Sequence, residues 1–296
     1  MTEPRASARR SRIGRHLPTS GGLEKTLQLA REQRLETVQI FISNPQSWTL
    51  PAPRQDAEIF IGGTAELGLS PLVVHTKYLI NLASPEPEHQ EHSARALAAE
   101  LVAAGSLGAD LVVTHSGSHG GDGDEKGLER LVQGLLRARE LATAEAGNAA
   151  VAEPVIENSI GAGSQLCYSI STLGDVAVEA GVRVCVDTAH MYVAGYDLST
   201  PHGAREVAGE LKNALGNRIA LLHLNDPRNA LGSHRDGHER IGEGYVLVEA
   251  WAELFSTLPC VPAVMETPHA TPEIDAEQVR LVKKLAGGLP LWPHGV

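Results

Sequence analysis

One stretch of 22 residues, from His223 to Gly244, concentrates polar chemistry: HLNDPRNALGSHRDGHERIGEG. Its spacing of polar residues fits neither the period of a helix nor the alternation of a strand. Its histidines and carboxylates are His223, Asp226, His234, Asp236, His238, Glu239 and Glu243. Imidazole nitrogens and carboxylate oxygens are ligands for zinc, manganese and iron. A solvated loop can hold such residues by chance, whereas a loop that folds over metal ions needs them.

Histidines and carboxylates also stand at the ends of six successive β-rich segments. They are His75, His115, Glu157, Asp187, His223 and Glu266. A single histidine in such a position is more often a hydrogen-bonded core residue than a ligand. Six in succession indicate cations, because unpaired buried carboxylates and imidazoles cost several kcal/mol each. With His190, Asp236 and His238 the set reaches nine candidates, which suits three ions if one carboxylate bridges two of them.

The elements that must position these residues follow a simple order. Eight β-rich segments alternate with segments of helical periodicity, and the predicted strands span residues 13–16, 37–41, 72–75, 110–115, 151–157, 182–187, 219–223 and 260–266. Eight such units favour a (β/α)8 TIM barrel over an open doubly wound sheet, and no G-x-G-x-x-G turn follows the first strand. In a barrel the strand ends converge, so the metal site is predicted at the C-terminal face.

Composition narrows the class of protein. The chain has 296 residues, of which 42% are hydrophobic and 21% charged, and these values are typical of a soluble globular protein. No apolar run is long enough to cross a bilayer, so no membrane partner is expected. The three cysteines are far apart, which argues against a disulfide framework and indicates a reducing compartment. We therefore expect a cytoplasmic protein, and a monomer.

Residues 1–12 differ from the remainder of the chain. They hold four arginines against one glutamate, and no apolar segment of the secretory type follows. The favoured interpretation is a disordered basic arm, and contact of this arm with DNA phosphates is a second interpretation. Residues 13–296 are predicted to form a single domain, because no low-complexity linker divides them.

Several motifs resemble those of one known family in order and spacing. They are FISNPQSW, HTKYLINLAS, HSGSH, ENSIGAG, CVDTAHMYVAGYDL, HLNDPRNALGSHRDGHERIGEG and METP. The chain thereby resembles endonuclease IV, the zinc-dependent apurinic/apyrimidinic endonuclease of base-excision repair, over nearly everything from Ile13 onward. The resemblance implies hydrolysis of the phosphodiester 5′ to an abasic site in double-stranded DNA, which leaves a 3′-hydroxyl.

The resemblance also assigns the ligands. It implies that His75, His115 and Glu157 hold a first zinc ion, that Glu157 bridges to a second held by Asp187, His223 and Glu266, and that His190, Asp236 and His238 hold a third. Glu157 and Glu266 are then the catalytic carboxylates, and Mn²⁺ or Fe²⁺ can replace zinc at some sites. Two bridged ions lower the pKa of a shared water toward neutrality, so a metal-bound hydroxide replaces a side-chain nucleophile. A third ion can stabilise charge on the phosphate.

The DNA contacts that the resemblance implies are Asn44, Gln46, Lys77 and Tyr78, and simple loop packing is the alternative for Tyr78 and for Trp48. Gln46 stands where the family often has an arginine that enters the base stack. Gly237 replaces the arginine of an Asp-Arg-His motif, and Lys77 is an addition to the usual His-Ala-Pro-Tyr. With a net charge of −11, these losses predict weak non-specific DNA binding that is sensitive to salt, although bound zinc makes the site itself positive.

Two other functions compete with the nuclease. A xylose-isomerase-like sugar isomerase or epimerase shares the barrel and a metal site that resembles Glu157, Asp187, His223 and Glu266. Such an enzyme has no need of the other five ligands, so we rank it second. A non-catalytic protein that binds DNA damage ranks third, because the ligand set is intact.

Overall fold

Eight parallel strands close into a barrel in the computed structural model, which describes residues 10–258 and 260–287. The barrel strands are β1 (Ile13–Leu17), β2 (Thr37–Ile40), β3 (Leu72–His75), β4 (Leu111–His115), β5 (Glu153–Glu157), β6 (Arg183–Asp187), β7 (Ile219–His223) and β10 (Ala263–Met265). Two short strands outside the barrel, β8 (Asp226–Pro227) and β9 (His238–Glu239), lie between β7 and β10 in the chain. Their order around the ring is β1-β10-β7-β6-β5-β4-β3-β2. The predicted TIM barrel is confirmed.

Helices follow the barrel strands along the chain. They are α1 (Leu23–Glu32), α2 (Ala57–Leu67), α3 (Pro87–Ser106), α4 (Asp124–Ala146), α5 (Ile170–Glu179), α6 (Thr188–Ala194), α7 (Pro201–Ala214), α8 (Val248–Thr257) and α9 (Pro272–Ala286). Both α7 and α9 begin with a proline after a threonine whose hydroxyl accepts a backbone N–H of the first turn. After α5, Gly181 has a φ of 63°, a left-handed conformation that suits glycine at a helix end. No helix within the described ranges is both long and apolar enough to span a membrane.

Apolar side chains fill the barrel beneath the C-terminal face. Val73, Val113, Val155, Leu221 and Val264 form its interior together with Leu111, Cys185 and Ala220, and all are buried. A larger apolar layer lies between the strands and the surrounding helices. Strand register then sets the polar residues above this core, since His115 pairs with Glu157 and Asp187 pairs with His223.

Five predicted strands are shorter in the structure, and two of them, β5 and β10, differ by two residues or more. Ala152 donates its N–H to Leu101 at the end of α3 rather than to a neighbouring strand, so β5 begins at Glu153. Cys260 has a φ of 67°, which is incompatible with an extended strand, and β10 begins only at Ala263. The difference in β5 falls at the N-terminal end of the barrel, whereas β10 also ends at Met265, so the ligand Glu266 follows the strand rather than ending it.

The last residues of the predicted basic arm are fixed to the barrel. Arg10 forms an ion pair with Glu36 at 2.6 Å, and Arg12 donates to the backbone carbonyls of Glu36 and Gly68. These contacts lie at the N-terminal end of β1, away from the face that carries the candidate ligands. Residues 10–12 are therefore ordered and do not face that site, whereas residues 1–9 of the predicted arm lie outside the described residues.

Candidate metal centre

A cavity of about 520 Å³ opens at the C-terminal face of the barrel. Seven predicted ligands line it: His75, His115, Glu157, His190, Asp236, His238 and Glu266. The remaining two, Asp187 and His223, are completely buried. The fold thus brings all nine candidates to one place, because each follows or ends a strand or lies in the loop after β7.

The first group joins His75, His115 and Glu157. Both histidines direct Nε2 at Oε2 of Glu157, at 3.4 Å from His75 and 3.3 Å from His115. His75 Nδ1 lies 2.8 Å from the carbonyl of Thr76, so Nδ1 carries the proton and Nε2 is left as a ligand atom. The group is ready to hold a cation between its members.

The second group shares Glu157 with the first. His223 Nδ1 lies 2.7 Å from Oε1 of Glu157, 3.3 Å from Glu266 and 4.0 Å from Asp187. Glu157 therefore presents one oxygen to each group, which is the geometry that a bridging carboxylate requires. The geometry also places Cys185 near Glu157 and His223, a proximity that the sequence did not indicate. Burial raises the pKa of this thiol to about 12, so it remains protonated and belongs to the core.

The third group lies where α6 meets the loop after β7. His190 and His238 direct Nε2 at Oδ1 of Asp236, at 3.5 and 3.4 Å. Asp187 caps α6 by accepting the backbone N–H of His190 and lies 3.8 Å from His238 Nε2. The structure therefore adds Asp187 as a neighbour of the third group, beyond its predicted place in the second.

The stretch from His223 to Gly244 folds into a defined loop, although its middle part, which includes Asp236, is exposed. The strand pair β8–β9 sets Pro227 beside His238, and Arg228 N–H donates to the carbonyl of Gly237. Buried Asp226 accepts the backbone N–H groups of Gly242 and Val246, which fastens the far end of the loop. The short pair and this anchor together hold Asp236 and His238 over the strand ends.

The donor set fits metal ions. Three groups of imidazole and carboxylate atoms each gather within 4.8 Å, the third of them formed by Asp187, His190 and His238, and this chemistry matches zinc. His238 Nε2 is buried without a hydrogen-bond partner among the described residues, although it points at two carboxylates. A buried imidazole nitrogen that lacks a partner is satisfied by a metal ion.

Electrostatics in the third group favour charged side chains. The imidazoles of His190 and His238, which point at its carboxylate from 3.5 and 3.4 Å, hold the pKa of Asp236 well below its usual range. Burial lowers the pKa of both imidazoles, but the charge of Asp187 and the nearby carboxylate of Asp236 outweigh it and raise the pKa of His190 to about 10 and of His238 to about 9. The site thus concentrates negative charge that protons or metal ions must balance, and metal binding displaces those protons.

Amide side chains that sequence reasoning missed hold the ligands in place. Gln39 donates to Glu266 at 2.6 Å, and its oxygen accepts from His223 Nε2 at 2.8 Å, which leaves His223 Nδ1 as the ligand atom. Asn225 donates to Asp187 at 2.6 Å. The Asn158 side-chain oxygen accepts the backbone N–H of Asp187 at 2.7 Å, and its backbone carbonyl accepts from His190 Nδ1 at 2.9 Å. Asn158 and Asn225 follow strand ends, which is a usable signal, whereas Gln39 is a single polar residue inside a buried strand.

Among the predicted DNA contacts, Tyr78 and Lys77 lie in opposite environments. Tyr78 is 55% exposed, lines the cavity and meets the ring of Phe41 edge-on. Lys77 is 2% exposed, pairs with buried Glu100 at 3.1 Å and donates to the carbonyl of Thr49. A partner on α3 directs the ammonium group of Lys77 into the protein, a geometry that does not favour its predicted contact with DNA, and that contact stays a prediction.

The loop after β2 carries the other two predicted DNA contacts. Asn44 and Gln46 are both exposed, and the side chain of Asn44 accepts the backbone N–H of Gln46 at 2.9 Å. Asn44 thus shapes the turn that presents Gln46. Trp48 stacks on His92 with 4.2 Å between ring centroids, which is the packing alternative for this residue.

Comparisons with known proteins agree with this geometry. A family model described as a xylose isomerase-like TIM barrel matches residues 27–285. A protein of Carboxydothermus hydrogenoformans named "Probable endonuclease 4" is 35% identical over 92% of this chain and 95% of its own length. The protein of the same name in Natranaerobius thermophilus is 37% identical over 93% of this chain and 98% of its own length.

Solved structures give the same result. Endonuclease IV from Thermus thermophilus superposes with a TM-score of 0.81 and 31% identity, over 93% of this chain and 98% of that one. A 3-keto-D-glucoside 4-epimerase from E. coli reaches a TM-score of 0.66 at 13% identity, which is a likeness of fold alone. On the strength of the full-length relatives, the chain belongs to the endonuclease IV family.

Proposed function

We propose that this protein is a DNA-repair endonuclease that hydrolyses the phosphodiester 5′ to abasic sites in double-stranded DNA with three zinc ions. Its family makes it a hydrolase of the endonuclease IV type. The observation that carries the proposal is the convergence of nine ligands in three adjoining groups on one face of the barrel. Its expected state, a monomer in the cytoplasm, stays a prediction.

The nine candidate ligands divide among three ions. His75, His115 and Glu157 would hold the first ion, and the other oxygen of Glu157 would serve the second with Asp187, His223 and Glu266. His190, Asp236 and His238 would hold the third. Zinc at these sites supplies Lewis acidity, which lowers the pKa of a coordinated water and stabilises charge on a phosphate; Mn²⁺ or Fe²⁺ offers the same chemistry.

The residues around the ions prepare the cavity for a phosphodiester. Gln39 and Asn225 fix Glu266 and Asp187 by hydrogen bonds, so these carboxylates need not reorganise during the reaction. Tyr78 presents a half-exposed ring at the cavity edge, where it can stack in the space that a missing base leaves. This role agrees with a substrate that is an abasic nucleotide.

A sugar isomerase or epimerase is the second candidate, because the matching family model is described as xylose isomerase-like. Glu157, Asp187, His223 and Glu266 alone would serve such a reaction. The other five ligands, which are His75, His115, His190, Asp236 and His238, also converge on the cavity and have no role in it. They favour the nuclease.

Cleavage of a labelled duplex with one abasic analogue tests the proposal. The purified protein should cut it once, on the 5′ side, and leave a 3′-hydroxyl that a polymerase can extend. A matched undamaged duplex should stay intact, and removal of metal by a chelator should stop cleavage until zinc is restored. An intact abasic duplex in the presence of zinc would contradict the proposal.

A further inference from the structure

We propose that His269 contacts a DNA phosphate at the edge of the metal cavity, held there by Asp275 and by the buried guanidinium of Arg15. The inference rests on the proposed function and names a substrate-contacting residue for it. Nothing in the motifs that identify the family points to this position. The argument starts from the cavity itself.

The described side chains that line the cavity offer no permanently positive group. Among its described lining residues none is lysine or arginine. Gln46 and Gly237 occupy positions where the family often has arginine, and the ammonium group of Lys77 is buried in an ion pair. A phosphate at this edge must therefore be recognised by other donors.

Histidine is the remaining residue type in the cavity lining that can carry a positive charge. Six histidines line the cavity: His16, His75, His115, His190, His238 and His269. Four of them are predicted metal ligands. His16 lies 2.9 Å from Gln39 and 3.7 Å from Glu266, so it belongs to the network that supports those ligands. His269 alone in this lining is separate from the ligands, and its side chain is 48% exposed.

Asp275 fixes the ring of His269. His269 Nδ1 lies 2.9 Å from Oδ2 of Asp275, whose other oxygen accepts the backbone N–H of Ala270 at 3.1 Å. A carboxylate has only acceptors, so Nδ1 must carry the proton of this hydrogen bond. With Nδ1 held by Asp275, Nε2 is the ring nitrogen available to the cavity, and a proton on Nε2 would form a hydrogen bond to a phosphate oxygen.

Arg15 lies beside both members of this pair. Its side chain is fully buried, its Nη2 donates to the carbonyl of Thr267 at 3.1 Å, and the same nitrogen lies 3.6 Å from Asp275 and 3.3 Å from His269 Nδ1. Its Nε and Nη1 lack hydrogen-bond partners within the described part of the chain. The guanidinium offsets the carboxylate, so Asp275 adds no uncompensated negative charge at this edge of the cavity.

Three variants test the contact: His269→Ala, His269→Gln, which keeps a donor on its side-chain amide, and His202→Ala as control. His202 is exposed on α7, pairs with Glu206 and lies outside the cavity lining. Single-turnover cleavage of abasic duplex, measured over a range of protein concentrations, separates half-saturation from the rate at saturation. Zinc content and thermal unfolding are measured on every variant.

We expect His269→Ala to raise the half-saturating concentration about tenfold, as the loss of a charge-assisted hydrogen bond would. The rate at saturation should stay within about twofold, because no ligand is touched. His269→Gln should recover part of the loss, and His202→Ala should match wild type. Wild-type half-saturation in His269→Ala would overturn the inference, as would a loss of zinc or thermal stability, since His269 would then serve only to pack on Asp275. If wild type itself fails to cleave, the proposed function falls instead.

Discussion

The candidate ligands on the cavity floor and the predicted DNA contacts on the loops around it differ in how the fold holds them. Glu157, Asp187 and His223, the metal floor, are at most 1% exposed and end strands whose register is set by neighbouring strands. Gln46 and Tyr78, the DNA rim, are exposed on loops after β2 and β3. The floor keeps every ligand of the family pattern, whereas the rim lacks an arginine at position 46. Metal chemistry and DNA grip can therefore change independently.

The largest expected effect comes from the floor. Glu157→Gln removes a charged ligand that two groups share, so cleavage should fall by about a thousandfold or more while the barrel stays folded. Glu153→Gln is the matched control, because Glu153 begins the same strand and pairs with Arg183 at the opposite end of the barrel. Single-turnover rates and circular dichroism give the comparison. Near-normal turnover in Glu157→Gln would rule out a bridging carboxylate.

The second effect concerns the support under the rim. Lys77→Met leaves Glu100 buried without its partner, and the loss of stability should be about 3 kcal/mol or more. The loop that Lys77 binds through Thr49 should loosen, so DNA binding should weaken as well. Denaturant unfolding and duplex titration measure both.

A control variant separates this account from direct contact with DNA. Lys77→Met combined with Glu100→Leu removes both charges, so stability should largely return. Weaker DNA binding in Lys77→Met without any loss of stability would instead mean that Lys77 reaches the DNA.

The third effect lies in the amide network of the floor. Gln39→Leu removes the hydrogen bonds to Glu266 and His223, and zinc affinity should fall about 10- to 100-fold. Competition with a zinc chelator measures it without reference to activity. Gln28→Leu is the control, because Gln28 is an exposed residue of α1, and it should leave zinc affinity unchanged. Equal affinities for the two variants would show that Gln39 does not position the ligands.

The smallest effect belongs to the rim. Gln46→Arg adds a charge that can reach phosphate, so binding to abasic duplex should tighten, and the slope of log affinity against log salt should steepen by about 0.9. The cleavage rate at saturation should not change. Titrations at several salt concentrations test this, and an unchanged slope would mean that position 46 does not approach phosphate.

Gly237→Arg is the companion substitution, but the structure predicts that it would disturb the loop that carries Asp236. Gly237 does not adopt a left-handed φ, yet an added Cβ would lie 2.9 Å from the Asn229 amide. That amide donates hydrogen bonds to the backbone carbonyls of Arg235 and Asp236. The double variant should therefore bind zinc less well at the third group than Gln46→Arg alone.

Sequence patterns predict the floor better than the rim, for a physical reason. The C-terminal ends of the strands in a closed parallel barrel all lie at one face. His75 and Glu157 can therefore be placed at that face from their positions in the chain alone. The fate of Lys77 depends on Glu100, a residue on a later helix that no local pattern connects to it. Gln39 was missed for a similar reason, since its two partners come from β7 and from the end of β10.

The metal content of the purified protein tests the central claim most directly. Elemental analysis after removal of loosely bound ions should give close to three transition-metal ions per chain, because three groups of ligands adjoin in the cavity. His190→Ala should reduce the count by one, since it disrupts the third group alone. A count of one ion per chain in the wild-type protein would contradict the trinuclear site and favour the sugar isomerase.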